Sequence, residues 1–545
     1  MGKKYAVTNG ISGGVDLDKK PVTANWQRLQ YGMFIHWGLY SVYGGEVNGE
    51  PVREGYSEQI QMWAGMAEAE YVQAAAEFTG EGFDPDAICR LALDAGMRYI
   101  VITSKHHDGF AMFDTATTDY NVVKQTPFGR DPLKMLAEAC ERHGLGFGVY
   151  FSLVDWHLGH DFDLNNNNPI PVSMEPAIEA QLTELMTNYG PIVEVWFDMS
   201  SPTPGQSAKF AGIVRKYQPH AAINSRIWNN TGDFRTLGDN QIPAQTLEGP
   251  WQTPASIYRE TWGYRKWQAR EGFEGKVRDL IKGLVSVRAR GGNYLLNIGP
   301  RGDGSVVPFE REVLEAVGDW LKQYPDSVIG ATATRFGGQP WGEVTVNGRD
   351  LYLHLFSKPE NGQVVLPGLG STVAEVTDGD GNTLDWVMSN CVLTVDVFEQ
   401  QLDVIKVRLE SDLTIVPEQT LKLAAGDEVH AEITQIESGY GFADRGNYNT
   451  LTETTLRHSV FFLPEESGEV LVRLTGTSTD SERRYKVTVA DRAVVVSAGD
   501  LLREPIGPFA VTADHVYELS VVLDEPAFAE ADLGLEVTGV SLSLS

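Results

Sequence analysis

Histidine, tryptophan, arginine and carboxylate side chains recur where strand-like apolar runs end in the first 330 residues. They are His36 and Trp37 after the first run, His106 and His107 after the second, Ser152, Asp155, Trp156 and His157 after the third, Trp196 and Asp198 at the fourth, and Asn224 and Arg226 at the fifth. Aromatic rings stack on the C–H faces of sugars, while imidazoles, guanidinium groups and carboxylates hydrogen-bond sugar hydroxyls. This combination predicts a sugar pocket.

A metal centre is the main competing interpretation of these residues. The zinc spacings H-x-x-E-H and H-E-x-x-H are absent from the sequence, and the adjacent His106 and His107 would diverge if they continued a regular strand. No G-x-S-x-G elbow joins a predicted strand to a helix, and no G-x-G-x-x-G follows the first strand. We therefore expect neither a metal ion nor a cofactor.

The same stretch alternates apolar runs with amphipathic segments. The runs are 33–37, 98–103, 146–151, 192–197, 221–224 and 293–298, and the helical patterns are 84–96, 132–144, 176–190, 208–217, 276–288 and 310–323. Apolar strands separated by helices indicate a parallel sheet buried on both faces. They predict an α/β fold with a (β/α)8-like barrel, whose catalytic groups lie at the carboxyl ends of the strands. Weak strand signals after Ala221 predict that the barrel is irregular or incomplete.

From residue 329 onward, short alternating strands are separated by Gly, Asn and Asp turns. We expect a catalytic barrel over 1–328, a β-sandwich over 329–412 and a second β-sandwich over 413–545. The second sandwich could bind glycan, cover the mouth of the pocket or mediate contacts in a homo-oligomer. Core packing is favoured over a sugar platform for its aromatic residues Tyr440, Phe442, Tyr448 and Phe461.

Composition restricts the partners. The 545 residues contain 44 Lys and Arg against 74 Asp and Glu, a formal net charge of −30. Such a surface repels phosphate backbones and anionic lipids, so we expect neither a nucleic acid nor a membrane as partner. No apolar stretch approaches the ~20 residues that a membrane span needs. The first residues also lack the apolar core of a signal peptide, which makes a cytoplasmic location the expectation.

Five segments, in this order, resemble glycoside hydrolase family 29, the α-L-fucosidases. They are YGMFIHWGLYSV, SKHHDGFAMFDTATTDYNVV, GFGVYFSLVDWH, VEVWFDMS and GNYLLNIGPRGDG. The resemblance covers residues 24–330. It implies a retaining exo-glycosidase that removes terminal α-L-fucose from a glycan through a covalent fucosyl-enzyme, with Asp198 at the nucleophile position.

The second carboxylate departs from the family pattern. Members often carry a Glu in a segment similar to DF-x-T-x-E, whereas this sequence has DFRTLGDNQIP. It resembles bacterial members that act on α-1,6-linked fucose and use an Asp in a GDN context. That resemblance implies Asp239 as the acid/base and fucose α-1,6-linked to GlcNAc as the substrate. Glu248, in TLEGPW, is the alternative and would accompany an α-1,3/4-fucosidase, and Asp233 is a third candidate.

The resemblance also implies the residues that contact fucose. They are His36, Tyr56, Glu58, His106, His107, Trp196, Arg226 and Trp262, with Gln59 standing where the family has a tryptophan. Fucose lacks the 6-hydroxyl of galactose, so its methyl group requires an apolar niche. Trp37, Trp156 and Trp262 are the candidates for that niche.

Two other functions compete with this one. The first is a non-catalytic fucose- or glycan-binding protein that keeps only the aromatic residues of a hydrolase. The second is a hydrolase of another sugar, such as an α-L-galactoside. The presence of both Asp198 and Asp239 favours the enzyme over the binding protein.

Overall fold

The computed structural model of the chain describes residues 11–12, 21–160, 168–199, 201–229, 231–243, 246–247, 249–359, 361–397, 403–417, 420–426, 428–432, 450–451, 457–524 and 535–545. Glu248, Tyr440, Phe442 and Tyr448 lie outside these residues. Within the described part of the chain, no helix combines the length and apolar character that crossing a bilayer requires.

Eight parallel strands form the sheet that organises the first part of the chain. They are β1 (Tyr31–Ile35), β2 (Tyr99–Lys105), β3 (Gly146–Ser152), β4 (Ile192–Asp198), β5 (Ala222–Ile223), β6 (Arg235–Thr236), β7 (Trp251–Ser256) and β8 (Asn293–Ile298). Their order is β5-β4-β3-β2-β1-β8-β7-β6. A parallel bridge between Asn224 and Phe234 links the two edge strands. The sheet thus curls into a (β/α)8-like barrel, which confirms the predicted fold class.

Helices cover most of the connections between these strands. They are α1 (Pro85–Asp94), α2 (Pro132–His143), α3 (Glu175–Asn188), α4 (Pro204–Tyr217), α5 (Phe273–Ala289) and α6 (Pro308–Gln323). The link from β5 to β6 contains instead the 3-10 turn Ser225–Ile227. Since β5 and β6 are only two residues long, the barrel is irregular on the side where the sequence signals were weak.

Short helices and two-residue strands complete the first part of the chain. The α-helical ones are Pro21–Gln27, Tyr40–Tyr43, Ile60–Trp63, Glu68–Tyr71 and Val122–Gln125, and the 3-10 ones are Ser57–Gln59, Val72–Glu77 and Val172–Met174. Two-residue strands pair as Glu46–Val47 with Glu50–Pro51, and as Ile11–Ser12 with Thr414–Ile415.

Strand alternation sorts the side chains between the barrel interior and the helical layer. Along β4, Glu194, Trp196 and Asp198 face the interior, while Val195 and Phe197 join the apolar core under the helices. A two-residue period produces this division, because successive strand residues point to opposite faces. Asp198 is the last residue of β4, so the interior row ends at the rim with a carboxylate.

Mostly antiparallel β-sheets make up the rest of the described chain. One sheet joins Thr332–Ala333, Gly342–Asn347, Asp350–Leu355, Val404–Leu409 and Val373–Asp378, and a second joins Gln363–Pro367, Val392–Asp396 and Trp386–Ser389. A third joins Thr420–Leu423, Arg457–Pro464, Tyr517–Leu523, Arg484–Val489 and Arg492–Ser497. A fourth joins Glu428–Glu432, Thr450–Leu451, Leu535–Leu544, Gly468–Ser478 and Ile506–Val511, and Ala498–Arg503 is helical.

These sheets enclose two apolar cores that are separate from the core of the barrel. One extends from Trp341 to Ile415 and the other from Leu423 to Leu544. Half-buried Phe461, named above as a core or platform residue, lies in the strand Arg457–Pro464. The domain boundaries at 328/329 and 412/413 stay a prediction.

Buried carboxyl groups give the fold an unusual dependence on pH. Burial raises the pKa of Glu310 to about 8, although the backbone N–H of Gly299 donates to it and lowers the pKa in part. The unfolded chain loses this proton near pH 4.5, so the folded state holds the extra proton between about pH 4.5 and 8. Stability therefore falls as the pH rises through that window, by about 1.4 kcal/mol per pH unit for a fully shifted group.

We expect the Glu310→Gln variant to lose less thermal stability than the wild type between pH 6.5 and pH 8. The amide cannot ionise, so the proton difference between the folded and unfolded states disappears. Thermal unfolding followed by tryptophan fluorescence at the two pH values measures the effect. Glu312→Gln, at an exposed position on the same helix, is the matched control. An equal fall in Tm for Glu310→Gln and the wild type would contradict the assignment.

Candidate active site

A cavity of about 90 Å³ lies at the carboxyl ends of the barrel strands. This is the end at which barrel enzymes carry their catalytic groups. Its walls combine aromatic rings, imidazoles and carboxylates, as the sequence predicts. The lining residues are Phe34, His36, Tyr56, Glu58, Gln59, His106, His107, Tyr150, Trp196, Asp198, Met199, Arg226, Asp239 and Trp262.

Asp198 is a buried carboxylate with a hydrogen-bond donor on each oxygen. The Tyr150 hydroxyl donates to Oδ2 at 2.8 Å, and Arg226 Nη1 donates to Oδ1 at 2.8 Å. Burial alone would raise the pKa of Asp198, but the charge of Arg226, the His107 imidazole and these two hydrogen bonds outweigh it. The pKa therefore lies below the ordinary value of an aspartate, and the group is ionised at neutral pH.

Arg226 connects Asp198 to a second carboxylate. Its Nη2 atom donates to Asp239 Oδ1 at 2.7 Å, so one guanidinium holds both acids. The guanidinium also lies 4.6 Å from the centroid of the Trp196 ring. The Asp198 side chain is 13% exposed and the Asp239 side chain 29%. The site thus contains one shielded and one more accessible carboxylate around a shared cation.

Asn240 fixes the backbone that carries Asp239. It adopts a left-handed conformation with φ 60°, which asparagine tolerates better than most residues. Its N–H donates to the Pro254 carbonyl at 2.8 Å, and its side-chain oxygen accepts from the Ser256 N–H at 2.8 Å. These bonds attach the short β6 region to β7, so Asp239 is positioned although no regular strand carries it.

Three buried histidines line the opposite wall. The His36 Nδ1 atom donates to Asn297 at 2.7 Å and the His107 Nδ1 atom to Ser152 at 2.7 Å, while His106 Nδ1 has no hydrogen-bond partner among the described residues. Burial lowers the pKa of His36 to about 3 and of His107 to about 4. Both rings are therefore neutral at physiological pH, with Nε2 able to accept a hydrogen bond.

The adjacent rings of His106 and His107 lie 4.0 Å apart and both line the cavity. The expectation that these neighbours diverge is therefore wrong. The reason is that β2 ends at Lys105, so neither histidine belongs to a regular strand and the two-residue alternation no longer applies. Within the described residues, no group of three potential ligand side chains is arranged to hold a metal ion.

Glu58 is a further carboxyl group in the wall. It is 2% exposed, and its Oε2 atom accepts from the backbone N–H groups of Gly263 at 2.8 Å and Trp262 at 3.2 Å. Burial raises the pKa of Glu58 to about 7, although these bonds act in the opposite direction. These contacts attach Glu58 to the loop that carries Trp262. The Trp262 ring lies 5.3 Å from the His36 ring.

Two of the residues predicted to bind the sugar, Trp37 and Trp156, lie outside this cavity, as do the strand-end residues Ser152, Asp155, His157 and Asn224. Trp37 points into the helical layer, where its ring stacks on Phe83 at 4.8 Å and its Nε1 donates to the Arg301 carbonyl at 2.9 Å. Strand alternation explains this, because His36 faces inward and its neighbour must face outward. The half-buried Trp156 ring lies 5.7 Å from the His107 ring and does not line the cavity.

Sequence reasoning missed Met199 in the lining and three strand residues that complete the site. Tyr150 holds the Asp198 carboxylate, Phe34 forms part of the wall, and Asn297 orients His36 while donating to the Trp262 carbonyl at 2.7 Å. Each belongs to a strand rather than to the loop that follows it. Strand alternation provides the missing signal, since Phe34 precedes His36 by two residues and Tyr150 precedes Ser152 by two.

Known proteins are similar to this chain in sequence and in fold. The family model for α-L-fucosidase matches residues 14–326. The mouse tissue α-L-fucosidase is 28% identical over 378 residues, which are 66% of this chain and 83% of the mouse protein.

Two solved structures extend the comparison. An α-L-fucosidase from Bacteroides thetaiotaomicron, trapped as a covalent intermediate with 2-fluoro-fucosyl fluoride, superposes with a TM-score of 0.66 at 25% identity, over 75% of this chain and 100% of that one. The α-L-fucosidase of Vibrio sp. strain EJY3, at 23% identity and a TM-score of 0.66, shares the fold over 97% of this chain and 98% of its own. The family model covers more than half of the chain, and the chain therefore belongs to the α-L-fucosidase family, glycoside hydrolase family 29.

Proposed function

We propose that this α-L-fucosidase removes terminal fucose by a retaining double displacement, with Asp198 as the nucleophile and Asp239 as the general acid/base. The observation that carries the proposal is the Arg226 guanidinium, which holds one oxygen of each carboxylate beside the same cavity. Retaining glycosidases require two carboxyl groups about 5–5.5 Å apart. The covalent intermediate trapped on the Bacteroides protein supports the same route in this chain.

In the first step the ionised Asp198 attacks the anomeric carbon. The bond from that carbon to the leaving-group oxygen breaks, and protonated Asp239 transfers its proton to this oxygen. In the second step the Asp239 carboxylate takes a proton from water, and the water oxygen displaces Asp198 from the anomeric carbon. Two inversions leave the α-configuration unchanged.

Arg226 suits both steps because it serves both acids. Among the described residues, Asp198 accepts from Tyr150 and Arg226, and Asp239 accepts from Arg226. The double displacement requires Asp198 to be the nucleophile and Asp239 to be the proton donor of the first step. When Asp198 becomes an ester and loses its charge, Arg226 still stabilises the Asp239 carboxylate that activates water.

Fucose recognition follows from the remaining wall. The Nε2 atoms of neutral His36 and His107 accept hydrogen bonds from sugar hydroxyls, and Glu58 provides a further acceptor. The rings of Phe34 and Trp262, 6.0 Å apart, form the apolar niche for the C6 methyl group. An α-L-galactoside would bring a hydroxyl to this niche without a partner, so it should be a poor substrate.

The preferred linkage is proposed to be α-1,6 to GlcNAc, on the resemblance of the GDN segment around Asp239. Hydrolysis of fucosyl-α-1,6-GlcNAc compared with Lewis-type α-1,3 and α-1,4 trisaccharides tests it. Faster release of fucose from the α-1,6 disaccharide is the expected result. Preference for the Lewis trisaccharides would overturn the proposal and favour the α-1,3/4 alternative with Glu248 as acid/base.

We expect Tyr150→Phe to lower kcat/KM roughly tenfold to 100-fold, because a hydrogen bond to a charged group is lost. The pKa of Asp198 also rises without this donor, so the acid limb of the pH profile should move to higher pH. Initial rates on 4-nitrophenyl α-L-fucoside between pH 3 and 8 measure both effects.

Tyr189→Phe is the matched control for this variant. Its hydroxyl donates to Asp131 at 2.6 Å, outside the cavity, so an equivalent tyrosine–aspartate bond is removed without touching the nucleophile. The control should keep the wild-type profile. A Tyr150→Phe variant with an unshifted acid limb would contradict the role assigned to Tyr150.

A further inference from the structure

Trp228 is unlike every other tryptophan of the chain. Trp228 is 46% exposed, whereas the other eleven tryptophans are buried or half-buried. An indole is among the largest apolar groups that a protein can bury, so leaving one in water forgoes stabilising area. An exposed indole presents a flat apolar face on which the C–H face of a sugar ring can stack.

The backbone of Trp228 is strained as well. Its φ is 62° and its ψ is −176°, in a region that is essentially restricted to glycine. A bulky residue in this region has a real energetic cost, which persists only where the surroundings enforce it.

Hydrogen bonds on both sides enforce this conformation. Ser207 donates from Oγ to the Ile227 carbonyl at 2.7 Å, and Asn229 donates from Nδ2 to the Pro202 carbonyl at 2.9 Å. The N–H of Trp228 itself donates to the Ser225 carbonyl at 2.9 Å. The backbone that carries the indole is thus held in a strained conformation by hydrogen bonds to α4 and to the loop that follows β4.

The position of Trp228 relates it to the two carboxylates. It lies two residues beyond Arg226, so their Cα atoms are at most about 7.6 Å apart. It does not line the fucose cavity, and its neighbour Asn229 is anchored to Pro202, which follows Asp198 in the chain. Trp228 therefore lies outside the cavity lining, two residues along the chain from the arginine that holds both carboxylates.

We propose that Trp228 is the stacking platform for the leaving-group sugar, the pyranose to which fucose is attached. The C–H face of that ring lies on the exposed indole while its glycosidic oxygen faces the carboxylates. This inference rests on the proposed function, because it takes the Asp198 site as the point of cleavage. The substrates are then oligosaccharides in which the sugar next to fucose contributes to recognition.

The test compares two substrates in Trp228→Gly and Trp228→Phe. One is the fucosyl disaccharide that the linkage panel identifies as the fastest, and the other is α-L-fucosyl fluoride, whose leaving group carries no ring. The readout is the ratio of kcat/KM for the disaccharide to kcat/KM for the fluoride. We expect this ratio to fall roughly tenfold in Trp228→Gly and to stay within about threefold of wild type in Trp228→Phe.

Trp228→Gly is chosen because glycine adopts the observed φ and ψ without strain. The variant should unfold at the same temperature as the wild type or higher, which separates a binding role from a structural one. Tyr217→Ala, at another exposed aromatic residue, on α4, is the control and should leave the ratio unchanged.

An unchanged ratio in Trp228→Gly would overturn the inference, whether both activities persist or fall together. A lower unfolding temperature for Trp228→Gly would do the same, because the indole would then serve the fold. Absence of turnover of the fluoride by the wild type would overturn the proposed function itself, and the platform with it.

Discussion

The Asp198→Ala variant is expected to lose at least ~10⁴-fold in kcat/KM on 4-nitrophenyl α-L-fucoside, because no carboxylate remains to form the covalent intermediate. In the wild type this group is held ionised between Tyr150 and Arg226. Nitrophenolate departs without a proton, so the loss on this substrate reports the nucleophile rather than the acid. Steady-state kinetics measure it, and added azide should restore turnover with inverted β-fucosyl azide as the product.

Asp233→Asn is the control for the loss of a carboxylate. Asp233 pairs with Arg215 at 3.0 Å and accepts from the Ile223 N–H at 3.0 Å, away from the cavity lining. This variant should keep wild-type turnover. Wild-type activity in Asp198→Ala would remove Asp198 from the mechanism, and it would leave the cavity described above without its nucleophile.

Asp239→Ala is expected to lose roughly 10²- to 10⁴-fold on a sugar leaving group, which is the range for a missing general acid/base. On the nitrophenyl substrate the first step stays fast and the hydrolysis of the fucosyl-enzyme becomes slow, so a burst of nitrophenolate should precede a low steady state. Azide attacks the intermediate without general-base help. It should restore turnover and give α-fucosyl azide, with the configuration retained.

The Glu248→Ala variant decides between the two candidates for this role. It should show neither the burst nor the azide rescue if Asp239 is the acid/base. Rescue of Glu248→Ala, with normal turnover in Asp239→Ala, would transfer the role to Glu248 and weaken the α-1,6 proposal, since that proposal depends on the context of Asp239. Proton NMR of the fucosyl azide gives its anomeric configuration. The α-product shows that azide attacked the fucosyl-enzyme, and the β-product shows that it attacked the substrate directly.

Local signals account for the parts of the fold that the sequence predicted. Helix α1 is an example, because Asp84 caps its first turn by accepting from the Ala87 N–H at 2.9 Å and Pro85 occupies the first position. Strand β7 is the contrary case. It contains Pro254 and the polar Gln252, and nothing local marks it as a strand.

Tertiary contacts explain why such a strand forms. The polar Gln252 side chain can be fully buried because its amide groups are hydrogen-bonded inside the barrel. It accepts from Trp196 Nε1 at 2.9 Å and donates to Glu194 at 3.0 Å. These partners come from β4, more than fifty residues earlier in the chain. A propensity argument cannot find a strand whose stability comes from distant side chains.

Some residues of the candidate site could likewise be predicted from the sequence, and others could not. His36 inward and Trp37 outward follow from the two-residue period, and the inward position of Tyr150 could have been predicted from it as well. The contact of Arg226 with both Asp198 and Asp239 could not, because Arg226 and Asp239 lie in segments without periodicity. The family resemblance predicted that these residues belong to the site, and in the structure their side chains are in contact.

Trapping the intermediate tests the central claim most directly. The wild-type enzyme would be incubated with 2-deoxy-2-fluoro-α-L-fucosyl fluoride, digested with pepsin and sequenced by mass spectrometry. We expect one fluorofucosyl group, on the peptide that contains β4, with the modification at Asp198. Modification of Asp239, Glu248 or any other residue in place of Asp198 would contradict it, as would an unlabelled enzyme that releases β-L-fucose from an α-L-fucoside.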